Sequence, residues 1–234
     1  MPRLYFVETG FYYKNIQYTI CCFGCYLLPV LFSSGYFFWE RYLLSFLNNL
    51  NVYMEISVLT APGLGSSGPE HWQTLWEQII PGTKRIEQSS WDAPVCAAWV
   101  AQIEREVAAA GPKVVIAAHS LACIAVAHWA QQTKRSIAGA LLVAPADAAR
   151  PGFPVAASGF TPIPSSRLPF KTIVVASTND EYCSLDRATY FAASWGSRFV
   201  NLGAKGHINA ASGLGEWPDG QRLLKELVMN WATL

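Results

Sequence analysis

A serine hydroxyl becomes a strong nucleophile only when an imidazole takes its proton and a carboxylate holds that imidazole in the right tautomer. The chain carries one set of residues ordered for that chemistry. Val114, Val115, Ile116, Ala117 and Ala118 form an apolar run that reaches His119-Ser120, and the alanine-rich stretch Leu121-Ala122-Cys123-Ile124 begins at once. A strand, a sharp turn and a helix in that order form a nucleophile elbow, which exposes its serine at the carboxyl edge of a sheet. The turn requires small residues two before and two after the nucleophile. Here they are Ala118 and Ala122, each a methyl larger than the usual glycine. Taken alone, Ser120 also reads as an ordinary helix N-cap.

The chain has four histidines, and their placement separates them. His119 precedes the serine and should point the other way, His128 falls in the following helix and His71 opens an amphipathic stretch, so all three read as structural. His207 sits in Gly203-Ala204-Lys205-Gly206-His207-Ile208 after the last strand-like run, where a loop at a strand's carboxyl edge would carry a base. For the acid, Asp180 ends the run from Thr172, with Asp147 as the rival beyond an earlier strand. The chain order Ser120, Asp180, His207 is that of the α/β hydrolases. In this reading the backbone N–H groups of Leu64 and Leu121 form the oxyanion hole, each worth roughly 3 kcal/mol in the transition state.

A second motif competes. Gly63-Leu64-Gly65-Ser66-Ser67-Gly68 is a literal G-x-G-x-x-G, with Glu87 about twenty residues on to meet a ribose hydroxyl, as a dinucleotide-dependent oxidoreductase requires. Pro69 belongs in the first helical turn, which leaves the glycines in a wide loop rather than at the helix start. A third reading is a non-catalytic partner-binding protein whose triad is vestigial. Cys21, Cys22 and Cys25 contain one Cys-x-x-Cys pair, but four ligands are needed and no histidine or further cysteine lies nearby, so no metal is expected. Cys96, Cys123 and Cys183 are scattered, which suits a reducing, cytoplasmic setting.

The elements that must position these residues follow from periodicity. Strands are expected at 55–60, 84–88, 114–118, 138–144, 172–177 and 198–202. Helices are expected at 70–80, 95–110, 121–131 and 185–195, with a last one bearing Leu223, Leu224, Leu227, Val228 and Trp231 on one face. Alternation of this kind predicts a mostly parallel sheet with helices on both faces. Five prolines between Pro151 and Pro169 make 147–170 a loop rather than a lid domain. Trp72, Trp76, Trp91, Trp99 and Trp195 fit core positions better than a pocket lining.

With 52% hydrophobic and 14% charged residues in 234, the chain is too apolar to be disordered, and 17 basic against 16 acidic residues give no field to gather nucleic acid. The composition nonetheless breaks near residue 53. Residues 1–53 hold no alanine but eight of the ten tyrosines, whereas 54–234 hold thirty alanines. Residues 54–234 therefore read as the hydrolase domain, and 1–53 as a hydrophobic extension arising from start-site misassignment or serving as a membrane anchor. Asn15 to Trp39 are 25 uncharged residues, long enough for one span.

Several motifs carry a family resemblance. Pro62-Gly63-Leu64-Gly65-Ser66-Ser67, Glu70-His71-Trp72, Ala118-His119-Ser120-Leu121-Ala122, Leu142-Val143-Ala144-Pro145, the run from Ala176 to Cys183 and the run from Gly203 to Asn209 resemble the small α/β-hydrolase family of the retinoblastoma-binding serine hydrolase and bacterial YdeN-like proteins. The resemblance covers residues 55 to about 232. It implies a compact, lidless α/β-hydrolase fold and a Ser120–Asp180–His207 catalytic triad acting on a small-molecule acyl substrate, with no cofactor. The L-x-C-x-E segment linked to retinoblastoma binding is not met by Leu121-Ala122-Cys123-Ile124-Ala125, so that partner is not expected.

Overall fold

The computed structural model describes residues 10–13, 16–19 and 56–232. The chain divides into two units, Met1–Ser45 and Phe46–Leu234. In the first, β1 (Gly10–Tyr13) pairs antiparallel with β2 (Ile16–Thr19). Ile16–Thr19, at the start of the apolar run of residues 15–39, is thus extended. The remaining expectations for residues 1–53, including the anchor and the Cys21, Cys22 and Cys25 cluster, lie outside the described residues. No helix among the described residues is long and apolar enough to cross a membrane.

The second unit is built on a six-stranded, wholly parallel sheet. Its strands are β3 (Ser57–Ala61), β4 (Thr83–Arg85), β5 (Val114–His119), β6 (Gly139–Val143), β7 (Thr172–Ala176) and β8 (Arg198–Asn201), in the spatial order β4-β3-β5-β6-β7-β8. Side chains alternate between faces along a strand. Val114, Ile116 and Ala118 accordingly join one core with α2 (Cys96–Ala110), α3 (Leu121–Ala130) and α4 (Leu185–Trp195). Val115 and Ala117 join the other with α1 (Trp72–Ile79) and α5 (Pro218–Ala232). The central strands β5, β6 and β7 are buried throughout, as runs covered on both sides must be. Trp72, Trp76, Trp99 and Trp195 are fully buried in these cores, and Trp91 packs against one of them.

Two consequences of this order position the site. The chain reverses direction across the sheet between β3 and β5, and the crevice at such a switch point is where open α/β sheets bind ligands. The parallel register pairs Ala61 with Ala118, so the loop after β3 and the turn after β5 emerge side by side. Residues 144–171 contain neither helix nor strand, which matches the expected loop.

Candidate active site

The turn after β5 places Ser120 at φ 56°, ψ −123°, a left-handed conformation that costs a residue with a Cβ about 1–3 kcal/mol. Its side chain makes no capping bond to α3, so the N-cap reading fails. The backbone pins the turn instead: Ser120 N–H donates to Val143 O at 2.9 Å, and Ser120 O accepts from Cys123 and Ala146. Ala118 and Ala122 are completely enclosed, so the two extra methyls are accommodated.

Gly63 explains the first glycine of the competing motif. A Cβ there would lie 2.7 Å from Ser120 Cβ and 3.2 Å from its Oγ. The helix that a pyrophosphate would require starts only at Trp72, beyond Gly68, and its end is already capped by His71 Nδ1, which accepts from Gln73 N–H. Gly63 therefore makes room for the serine, while a Cβ at Gly65 or Gly68 would meet nothing within 4 Å. Gly63→Ala is expected to lower kcat/KM for an ester by at least about 100-fold through displacement of Ser120, with the far-UV dichroism unchanged. Wild-type kinetics in this variant would show that the close approach does not matter.

His207 Nε2 lies 2.8 Å from Ser120 Oγ, and His207 Nδ1 lies 2.9 Å from each oxygen of Asp180. A carboxylate can only accept, so the proton sits on Nδ1 and the Nε2 lone pair faces the hydroxyl. Both side chains are deeply buried, 8% and 3% exposed, which keeps water from competing for these bonds. Asp180 Oδ1 also accepts from Tyr182 N–H. Asp147, the rival acid, is bound to Arg187 Nε at 3.1 Å and takes no part in this chain of bonds.

The loop bearing His207 is held by residues that carry no catalytic signature in the sequence. Lys205 N–H donates to Ser177 Oγ, Gly206 N–H to Asn179 Oδ1, and Trp72 Nε1 to Ile208 O. Ser177 and Asn179 are joined by their own side chains at 2.9 Å, so the strand end that presents Asp180 also fixes the histidine loop. The polar Ser177-Thr178-Asn179-Asp180 run immediately after an apolar strand was the available signal.

His119 corrects the sequence expectation. It does not point away: its Nε2 donates to His207 O at 2.9 Å and its ring lies 4.8 Å from that of His207. His128 is structural, bonded to Phe160 O. His71 is both a cap and part of the site wall. Burial holds the imidazoles of His71, at about 4, and His119 well below the usual histidine range, with smaller contributions from neighbouring charges. Both are thus neutral at neutral pH, and unfolding at acid pH exposes groups that take up protons. Stability from this source is present above pH ~6.5 and is lost as the pH falls below it, for His71 down to about pH 4. Urea unfolding between pH 6.5 and 4.5 should show this decline. His71→Asn, which retains a capping acceptor, should show a shallower one, and an equal slope would remove His71 as a contributor.

These groups surround a cavity of about 210 Å³ lined by Ser120 and His207 together with Leu64, Leu121, Arg150, Phe153, Pro154 and Tyr182. Among the described residues the N–H groups of Leu64 and Leu121 donate to no backbone acceptor, while the neighbouring amides of Gly65, Ser66 and Cys123 do. Leu121 is the first residue of α3, where an amide has no intrahelical partner. The 144–171 loop, without forming a lid domain, supplies one wall of the cavity.

The sequence matches the family model described as serine hydrolase over residues 58–226. A YdeN-like hydrolase of Pectobacterium atrosepticum is 35% identical, with 79% of this chain and 97% of that one aligned at a TM-score of 0.69. The ydeN gene product of B. subtilis, 17% identical over 74% of this chain and 98% of that one, shares the fold at 0.63. A thermophilic esterase of Thermogutta terrifontis, 16% identical over 74% and 89%, does so at 0.53. No curated protein matches the chain.

Proposed function

The chain belongs to the serine hydrolase family, and we propose that it cleaves a small ester, thioester or amide through an acyl-enzyme on Ser120. The observation that carries this reading is the unbroken chain of bonds from Ser120 Oγ through His207 to Asp180. In the proposed sequence, His207 Nε2 accepts the Ser120 proton as Oγ attacks the substrate carbonyl, and Asp180 stabilises the imidazolium that forms. The developing oxyanion is held by Leu64 and Leu121 N–H. His207 then gives its proton to the leaving group, and water, deprotonated by the same nitrogen, releases the acid and restores Ser120. The partner in this reading is the small acyl substrate. The reading takes in no retinoblastoma-type partner, because Ala125 stands where the L-x-C-x-E segment requires Glu.

The cavity sets the expected chain length. At about 210 Å³ it holds a short acyl group, and a longer chain would leave its outer methylenes in water, forgoing about 0.8 kcal/mol for each one not buried. A p-nitrophenyl ester series should therefore give its highest kcat/KM at two to four acyl carbons and lower values at ten or more. No turnover of any member would sink the hydrolase reading, and a steady rise through twelve carbons would show that the acyl site extends beyond this cavity.

A further inference from the structure

Hydrolysis at Ser120 leaves one charged residue of the cavity lining without a role. Arg150 is the sole lysine or arginine among the lining residues, and no aspartate or glutamate lines the cavity with it. Its guanidinium lies 5.3 Å from the centre of the Tyr182 ring, and that ring in turn lies 4.4 Å from His207. The arginine is therefore held on the same side of the site as the base.

Among the described residues Arg150 makes no ion pair. Its Nη1 donates a long bond to Pro151 O at 3.3 Å, and its buried Nε has no hydrogen-bond partner. The nearest acid along the chain, Asp147, is committed to Arg187 and to Ala149 N–H, and Asp180 is committed to His207 and Tyr182 N–H. A guanidinium that stacks on Tyr182, keeps a buried Nε without a hydrogen-bond partner and shares its cavity with no acidic side chain still presents a planar fork of N–H groups, the geometry that fits a carboxylate.

We propose that the substrate carries a carboxylate close to the scissile bond and that Arg150 binds it, so that Arg150 determines specificity for half-esters, half-amides or acylated acids over neutral esters. The proposal rests on the hydrolase reading above. Arg150 would position the anion and take no part in bond making or breaking.

Two matched pairs of substrates test it and distinguish the two places the carboxylate could occupy. p-Nitrophenyl hemiglutarate against p-nitrophenyl butyrate places it on the acyl side, and 4-carboxyphenyl butyrate against 4-acetylphenyl butyrate places it on the leaving group. The wild-type protein should favour the charged member of one pair by about 10- to 100-fold in kcat/KM, the range for a hydrogen bond to a charged group. In Arg150→Gln the charged-to-neutral ratio should fall to about one, and Arg150→Lys should retain part of it. Reading the ratio within each variant removes any general effect on folding or on Tyr182 packing. Equal rates within both pairs, or a preference that survives in Arg150→Gln, would overturn the proposal while leaving the hydrolase reading intact. Absence of Ser120-dependent turnover of every ester would instead overturn that reading, and the proposal with it.

Discussion

Ser120→Ala should lower kcat for a short p-nitrophenyl ester by roughly 10⁴- to 10⁶-fold while the protein stays folded. The size follows from what is lost. With no hydroxyl at the elbow there is nothing for His207 to deprotonate, and the residual rate comes only from binding and the two N–H groups. The fold should be indifferent to the change, because Ser120 is held by backbone bonds to Val143, Cys123 and Ala146 and its side chain caps nothing. Alanine keeps the Cβ, so the left-handed φ of 56° is neither relieved nor worsened. Far-UV dichroism and the urea midpoint should match wild type. A loss of less than tenfold with the fold intact would move the nucleophile elsewhere.

Asp180→Asn should cost about 10⁴-fold in kcat. Both carboxylate oxygens lie 2.9 Å from His207 Nδ1 and hold its proton there. An amide offers one oxygen and one N–H₂, and wherever the N–H₂ faces Nδ1 the ring is driven into the opposite tautomer, with a proton on Nε2 where Ser120 needs a lone pair. The imidazolium would also lose its countercharge in a site screened from water. Asp147→Asn is the control, because it removes the ion pair with Arg187 and the Asp147 side chain bonds to none of Ser120, His207 and Asp180. Its kcat should stay within a fewfold of wild type, and a comparable collapse would transfer the acid's role to Asp147.

The sheet was legible because its strands are short β-branched or alanine-rich runs, and covered on both faces they admit little else. The ends drifted where side chains intervene. The run at 172–177 stops at Ala176, since the Ser177 hydroxyl turns to accept from Lys205 N–H. The run at 84–88 is an edge strand of three residues, Thr83–Arg85, after which Ile86 N–H bonds to Thr60 O and the chain departs. Ser120, Asp180 and His207 could be picked out because each follows a strand in the order the chemistry needs. The contacts of His119 and Trp72 with the histidine loop were not legible. Each depends on a contact across many residues of sequence, such as the 88 between His119 and His207, and no local pattern encodes that. The Gly63 loop shows the reverse case, in which a familiar local pattern had two meanings and the 2.7 Å approach to Ser120, with the late, capped start of α1 at Trp72, decided between them.

A fluorophosphonate probe puts the central claim to its most direct test. A hydroxyl activated by His207 attacks the phosphorus and expels fluoride, leaving a stable adduct on the serine oxygen. Intact-mass and peptide mass spectrometry of the full chain should show a single adduct, on the peptide containing Ser120, absent from Ser120→Ala and strongly reduced in His207→Ala. An adduct elsewhere in the chain, or one on Ser120→Ala at the wild-type level, would contradict the assignment of Ser120, His207 and Asp180 as the catalytic unit.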